Sequence, residues 1–376
     1  MCGSRERPLV GRSPACHRGY DWPVTVVING RFLLNSFGGA RRFATELAER
    51  LSRMRGDILL VAPPLPQGVA PLDVPMQTFG RFRGPTWEQF ELPMWLRKHG
   101  SPLLLNPATI APVMYSRQIT ALHDIAPALR PQDFALLFRV QWQLAVRFGM
   151  LRRGQRLVTI SAASQREIAA QFGIDPERID VVYPGADIFN GLPPPNEAGR
   201  VDSSFLVFGR HGAAKNIRTV IDAAGALPDA SAIEIHLVGQ LDPALRPYAE
   251  GQGVRAESLV WLGPVSDAKL AEAYRSTVAF IWPSLHEGFG LPAVEAQSLG
   301  VPVIASDIPV NREVLGESAH YFPAADATAL AAAMVQLASD PTARAALSAA
   351  GLENAKRFTW DATAEGWNDL IEQTGP

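Results

Sequence analysis

The chain has 376 residues, a formal net charge of −2 at pH 7, 47% hydrophobic and 19% charged residues, the balance of an ordinary globular protein long enough for about two domains. That charge argues against nucleic acid as a partner. Two cysteines, Cys2 and Cys16, supply neither a disulfide framework nor a paired-cysteine metal site, which fits a reducing, cytoplasmic compartment.

Residues 1–23 carry arginine and proline without an apolar core, so they are expected to be a disordered extension and not a secretory leader. No apolar run reaches the ~18 residues of a membrane span. Beyond residue 23 short β-rich runs alternate with helical patterns. "VTVVING" (24–30) and "DILLVAPP" (57–64) read as strands closed by turn residues. Between them Phe43, Leu47 and Leu51 lie on one helical stripe. "QITALHDIAP" (118–127) and "RLVTISAAS" (156–164) are further strands, the second leading into a helix capped by Ser161 or Ser164. "IDVVYPGAD" (179–187) is another strand and turn, and "NGLPPPNEAGR" (190–200) has the composition of a linker.

The pattern then restarts: "SFLVFGR", "AIEIHLVG", "SLVWLG", "VAFIWPS" and "VPVIASD" alternate with helices. Two βα series split by a proline-rich linker predict two doubly wound parallel-sheet domains of the α/β class, residues 24–189 and 201–357. Ligands of such sheets bind outside the C-terminal strand ends, so the site is expected in a cleft between the domains. No phosphate-binding P-loop, G-x-G-x-x-G, H-E-x-x-H or G-x-S-x-G is present, which removes the main support for the kinase, NAD-dehydrogenase, zinc-protease and serine-hydrolase readings.

Chemistry concentrates in "SLHEGFGLPAVEAQSLGVPVIASD" (284–307), where Glu287 and Glu295 flank a Gly-Phe-Gly turn. Pro292 and Gly300 bracket a helix, so the turn is a strand-to-helix loop. Gly288 and Gly290 let the backbone approach a ligand, and amides converging on the helix N-terminus favour a phosphate. Carboxylates would repel phosphate, so Glu287 and Glu295 are expected to accept from the hydroxyls of a sugar and a ribose. Arg210, after a strand, and Lys215, at a helix entrance, could clamp a diphosphate leaving group. Taken singly, each motif also fits an incidental surface feature.

Together "FGRHGAAKN", "LVWLGPVSDAKLAEAYRS" and the 284–307 segment resemble family 4 glycosyltransferases of GT-B fold, whose signature E-x7-E pair is matched by Glu287 and Glu295. The resemblance extends over about 24–371 through "ALHDIAP", "VTISAASQREI", "YPGAD" and "NGRFLLNSFGGARRFATELAERL", and "TWEQFELP" (86–93) resembles the mannosyl- and rhamnosyltransferase branch of bacterial polysaccharide assembly. It implies two Rossmann-like domains facing a cleft, with a last helix, 358–373, crossing back to the N-terminal one. It implies Arg210 and Lys215 on the donor diphosphate and the amides of Phe289, Gly290 and Leu291 on its distal phosphate. Gly38 and Gly39 would face the donor phosphates, Glu287 the transferred sugar, Glu295 the ribose, and His123 the cleft beside sugar and acceptor. It further implies transfer with retention from a nucleotide-sugar, GDP-mannose being the leading candidate, without a metal or other cofactor, to a glycan or lipid-linked acceptor. Ala213 and Ala214 depart from the Pro and Arg common in the family. A sugar-nucleotide epimerase of related fold and a non-catalytic sugar-nucleotide-binding protein are the alternatives.

From Phe134 to Arg166 the chain holds no acidic residue but carries Arg139, Arg147, Arg152, Arg153, Arg156 and Arg166 among Phe134, Leu137, Phe138, Trp142 and Phe148. A basic, aromatic helix of this kind can lie at an anionic membrane surface, here the cytoplasmic face. Core aromatics beneath a solvated basic face are the plainer reading.

Overall fold

The computed structural model describes residues 24–375 apart from 36–37, 70–71, 109–110, 152–154, 190–202, 210–211, 229–230 and 241. The expected extension at 1–23, the expected linker at 190–200, and Arg210, Arg152 and Arg153 therefore lie outside the described residues.

Two wholly parallel sheets carry the fold. The first runs β3-β2-β1-β4-β5-β6-β7, with β1 Val26–Asn29, β2 Ile58–Ala62, β3 Met76–Thr78, β4 Leu103–Asn106, β5 Gln118–Ala121, β6 Arg156–Thr159 and β7 Ile179–Val181. The second runs β10-β9-β8-β11-β12-β13, with β8 Ser204–Phe208, β9 Glu234–Val238, β10 Leu259–Gly263, β11 Ala279–Trp282, β12 Val303–Ser306 and β13 His320–Phe322. Strands β1, β2, β4, β5, β11 and β12 are buried along their whole length. Helices on both faces bury a parallel sheet, so its strands are written as apolar runs and not as alternation.

Three strands escape the sequence reading. At β3 and β13 only three residues pair, at sheet edges, and most are part-exposed. "LLLN" of β4 is a short apolar run of a kind that periodicity cannot separate from buried helix.

In both sheets the strand order reverses beside the first strand, between β1 and β4 and between β8 and β11. Val26 pairs with both Ile58 and Leu103, and Phe205 with both Ile235 and Ala279. Loops leaving the C-terminal ends of these strands diverge to opposite faces and open a crevice at each switch point.

The helix Gly39–Met54 buries the predicted stripe of Phe43, Leu47 and Leu51. Against it packs the last helix, Trp360–Thr374, which buries Trp360, Ala364, Trp367 and Ile371. The Phe43 ring lies 5.9 Å from that of Trp360 and 6.3 Å from that of Trp367. Arg50 to Asp361 and Arg55 to Asn368 add hydrogen bonds of 2.9 Å. The chain's end thereby closes on the N-terminal sheet's layer.

The basic, aromatic stretch is not one helix. It comprises the helix Leu136–Ala145, a π turn Val146–Met150, β6, and the start of the helix Ala162–Phe172. Arg156 is taken by Asp180 at 2.6 Å and Arg166 lies 3.5 Å from Glu313. Trp142 turns inward, into a core with Leu122, Ile125, Leu157 and Ile168. Of the described residues of the interleaved set, Arg147, Arg166, Leu137, Phe138 and Phe148 are exposed, and Arg139, Arg156 and Phe134 are half-buried.

Candidate active site

A cavity of about 620 Å³ lies where the two switch points face each other. From the first sheet come Arg31 and Gly39 after β1, Ala108 after β4, and His123 after β5; from the second come Lys215 after β8 and Glu287–Pro292 after β11. Every one stands beyond a C-terminal strand end, the position that doubly wound sheets reserve for ligands.

The loop after β11 is built for close approach. Gly290 holds φ at +97°, a left-handed conformation suited to glycine, and starts the helix Leu291–Ser298 with Pro292 in its first turn. The amides of Phe289, Gly290 and Leu291 donate to no acceptor among the described residues, leaving an oxyanion cradle at a helix N-terminus. Beside it Lys215 Nζ sits 2.5 Å from Glu287 Oε1 and 5.1 Å from the centroid of the Trp282 ring. The expected phosphate cation and the expected sugar carboxylate thus pair with each other. Trp282, missed by sequence reasoning as a plain strand residue, forms a floor under this pair, and its Nε1 has no partner among the described residues.

His123 Nε2 lies 2.7 Å from the carbonyl oxygen of Pro107, which can only accept, so Nε2 carries the proton. Burial pushes its pKa down despite that hydrogen bond. A neutral imidazole lines the cavity, its ring edge-on to Phe43 at 4.8 Å.

Glu295 does not line the cavity. It is 2% exposed, and its Oε1 accepts from Arg42 at 2.7 Å, while the same guanidinium reaches Asp267 at 3.0 Å. Burial raises the Glu295 pKa against the pull of Arg42. Burial alone would lower that of Arg42, but the two carboxylates outweigh it and raise it. Gly39 lines the cavity; Gly38 precedes the helix that delivers Arg42, and its carbonyl accepts from the Arg42 amide.

Further contacts fasten the seam. Ser161, the helix cap, also donates through Oγ to the Gly288 carbonyl at 2.6 Å, and Ser164 does so at 3.1 Å. Glu313 accepts from the amides of Ala162 and Ala163 at 2.6 and 2.7 Å and from Tyr183 Oη at 3.0 Å. His286 Nε2 meets Glu167 at 2.8 Å, and that carboxylate raises the imidazole's pKa against burial. None of these pairs has a local sequence signal, because their members are more than a hundred residues apart.

Beneath the first sheet's end lies a buried polar ladder. Asn29 donates to Glu88 and Asn106 at 2.8 and 2.9 Å, Asn106 to Gln118 and Thr120 at 2.9 and 3.0 Å, and Arg31 pairs with Glu88 at 3.1 Å. This assigns a task to the "TWEQFELP" segment: its Glu88 holds Arg31 in the cavity wall.

Comparison with known proteins agrees with this architecture. Residues 37–188 match the model for Glycosyltransferase Family 4, and residues 202–340 that for Glycosyl transferases group 1. The O-antigen chain mannosyltransferase B of Escherichia coli is 30% identical over 284 residues, 71% of this chain and 73% of that protein. A phosphatidyl-myo-inositol mannosyltransferase of Mycobacterium leprae is 36% identical over 171 residues, but the match spans only 44% of this chain and 45% of that one. Among solved structures, HepE of Anabaena with UDP and glucose superposes with a TM-score of 0.69 at 19% identity, over 93% of this chain and 99% of that one.

Proposed function

The chain belongs to the family 4 glycosyltransferases, with the GT-B fold, and from that premise we propose that it moves a hexose with retention from a nucleotide-sugar to a glycan or lipid-linked acceptor. Mannose from GDP-mannose is the leading donor, because mannosyltransferases stand among its relatives. The observation that carries the reading is the Lys215–Glu287 pair beside the unpartnered amides of Phe289, Gly290 and Leu291.

A donor diphosphate entering that cradle offers Lys215 a better partner than Glu287. Charge-assisted hydrogen bonds from Lys215 and the amides then stabilise the leaving diphosphate, and Arg210 is assigned beside them from the family motif. Released from Lys215, Glu287 accepts from the hydroxyls of the transferred sugar and orients it. His123 lines the same cavity and is assigned beside the sugar's reacting end from the family motif. Ribose hydroxyls reach Glu295 only if Arg42 shares that carboxylate. Cations and amides would supply the charge that a metal otherwise would, so the proposed transfer is metal-independent.

Family membership takes away the ground for the epimerase reading. A panel of nucleotide-sugars, incubated with and without glycan and lipid-linked acceptors, tests the rest. Acceptor-dependent release of nucleoside diphosphate is the expected result. Donor binding without release under any condition would leave a non-catalytic binding protein.

A further inference from the structure

Two peptide units of the turn after β11 are oriented by different means. The unit Gly290–Leu291 is held by the helix it starts, because the Gly290 carbonyl accepts from the Ala293 amide at 3.0 Å. The unit Gly288–Phe289 lies before that first helical hydrogen bond. It also begins at a glycine, whose backbone can turn over at little steric cost. Its hold comes from the other sheet's layer. Ser161 Oγ donates to the Gly288 carbonyl at 2.6 Å and Ser164 Oγ at 3.1 Å, and both serines are buried where the helix Ala162–Phe172 begins.

A trans peptide sets its N–H antiparallel to its C=O, and no cis bond occurs among the described residues. With the Gly288 carbonyl drawn to the two serines, the Phe289 amide points the opposite way, and it donates to no acceptor among the described residues. The hydrogen-bond roles are unambiguous. A carbonyl only accepts, so the single Ser161 proton goes to Gly288, while a lone pair of the same oxygen takes the Ser164 amide at 3.0 Å as the helix cap. Capping alone needs only that lone pair; the proton and the whole Ser164 hydroxyl are spent on the turn.

We propose that Ser161 and Ser164 are positioning residues for the donor's distal phosphate: they fix the Gly288–Phe289 peptide so that its amide is presented to the phosphate, and neither serine touches the donor. The phosphate part rests on the glycosyltransferase reading above; the anchoring of the peptide does not. The N-terminal sheet thereby takes part in recognising a group bound by the C-terminal one, and the cradle is complete only where the two meet. Serines that merely fastened the seam would affect every ligand of the cleft alike, whereas an amide aimed by them acts on phosphate alone.

The chain itself supplies the probe, because Gly288–Phe289 is its only Gly-Phe step. Labelling glycine at the carbonyl carbon and phenylalanine at the amide nitrogen therefore isolates this one peptide in a magnetic resonance spectrum. Three deuterated proteins are compared: the wild type, Ser164→Ala, and Ser161→Gly with Ser164→Ala. Ser164→Ala leaves the cap in place, and glycine is tolerated as a cap; circular dichroism checks folding. The Gly288 carbonyl signal should move upfield in Ser164→Ala and further in the double variant, as hydrogen bonds to it are lost. Nucleoside diphosphate, but not nucleoside, should shift the wild-type Phe289 amide signal. By calorimetry the double variant should bind diphosphate about tenfold more weakly with nucleoside affinity unchanged. A Gly288 carbonyl signal that stays at the wild-type position in the double variant overturns the anchoring. Equal losses of nucleoside and diphosphate affinity overturn the positioning role and leave the serines as fasteners. Wild-type protein that binds diphosphate with the Phe289 signal unmoved also overturns it, while the donor reading stands. Wild-type protein that binds no diphosphate counts against the donor reading, and the carbonyl signal still decides the anchoring.

Discussion

Arg42 and Glu295, 253 residues apart, meet across 2.7 Å and join the helix after β1 to the helix after β11. The carboxylate is buried and the guanidinium nearly so. Removing one partner of such a pair leaves an uncompensated charge in the protein interior, which costs far more than the pair itself contributes. Arg42→Ala should lower unfolding stability by about 3 kcal/mol, and Glu295→Gln in the same chain should restore a good part of it. Urea denaturation of the two single variants and the double variant checks this. Additive losses would mean that the two side chains act independently.

Lys215 and Glu287 should separate cleanly in binding and turnover. Lys215→Ala is expected to weaken nucleoside diphosphate binding by about 1–3 kcal/mol while nucleoside binding stays near the wild-type value, because the cation acts on phosphate. Glu287→Ala frees that cation, so its diphosphate affinity should hold or rise while turnover collapses. Calorimetry with nucleoside and diphosphate, set beside initial rates, is decisive; equal affinity losses in both variants would refute the division of roles.

Gly288 is fixed by its surroundings on both sides of the seam. A methyl there would stand 2.6 Å from the His123 carbonyl oxygen and 3.0 Å from Ile160 Cδ1, and the backbone oxygen cannot move aside without β5's loop. Gly288→Ala should hold the two sheets apart. We expect kcat/KM to fall about a hundredfold, as misplacement of reacting groups by an ångström does, with a larger radius of gyration in X-ray scattering. An unchanged rate would show that chemistry does not require this closure.

The His286–Glu167 bridge makes closure depend on pH. Glu167 raises the folded imidazole's pKa above its ordinary value of 6.5. The bridge therefore contributes fully below that value, and its contribution is lost as pH rises through the higher folded one. Because Glu167 is part-exposed, the effect on stability should be at most about 1 kcal/mol. Melting temperatures of the wild type should exceed those of His286→Gln at about pH 5.5–6, and the difference should shrink as pH rises above 6.5 through the higher folded value. Parallel curves across that range would rule the bridge out as a titrating contact.

Much of the architecture could be read from the chain before any coordinates. Each strand buried on both faces is a local apolar run, so "ILLVA" and "AFIW" announce themselves by composition. The helix start at Ser161 follows from local capping chemistry and is found there, its side chain accepting from the Ser164 amide. Lys215, Glu287 and the Gly-Phe-Gly turn stood out because short-range backbone demands confine such residues to a loop before a helix. His123 was legible as a cleft residue, but its protonation was not: the Pro107 carbonyl that orients it is sixteen residues away on another strand's loop.

What the sequence determined by itself, then, is everything set by near neighbours: the alternation of strand and helix, the two-sheet class, and the loops that carry ligand-binding backbone. Only the tertiary structure decided which charges face one another. Glu295 looked like an accessible ribose acceptor until Arg42 arrived on it from the other sheet, and Glu287 looked free until Lys215 reached it. Arg156 turned to Asp180, while Arg166, though within reach of Glu313, stayed exposed with Leu137 and Leu144. The reason is the range of the forces. Propensity, capping and periodicity act within a few residues, whereas an ion pair or a burial pattern depends on which distant segments the packed core brings within a few ångströms of each other.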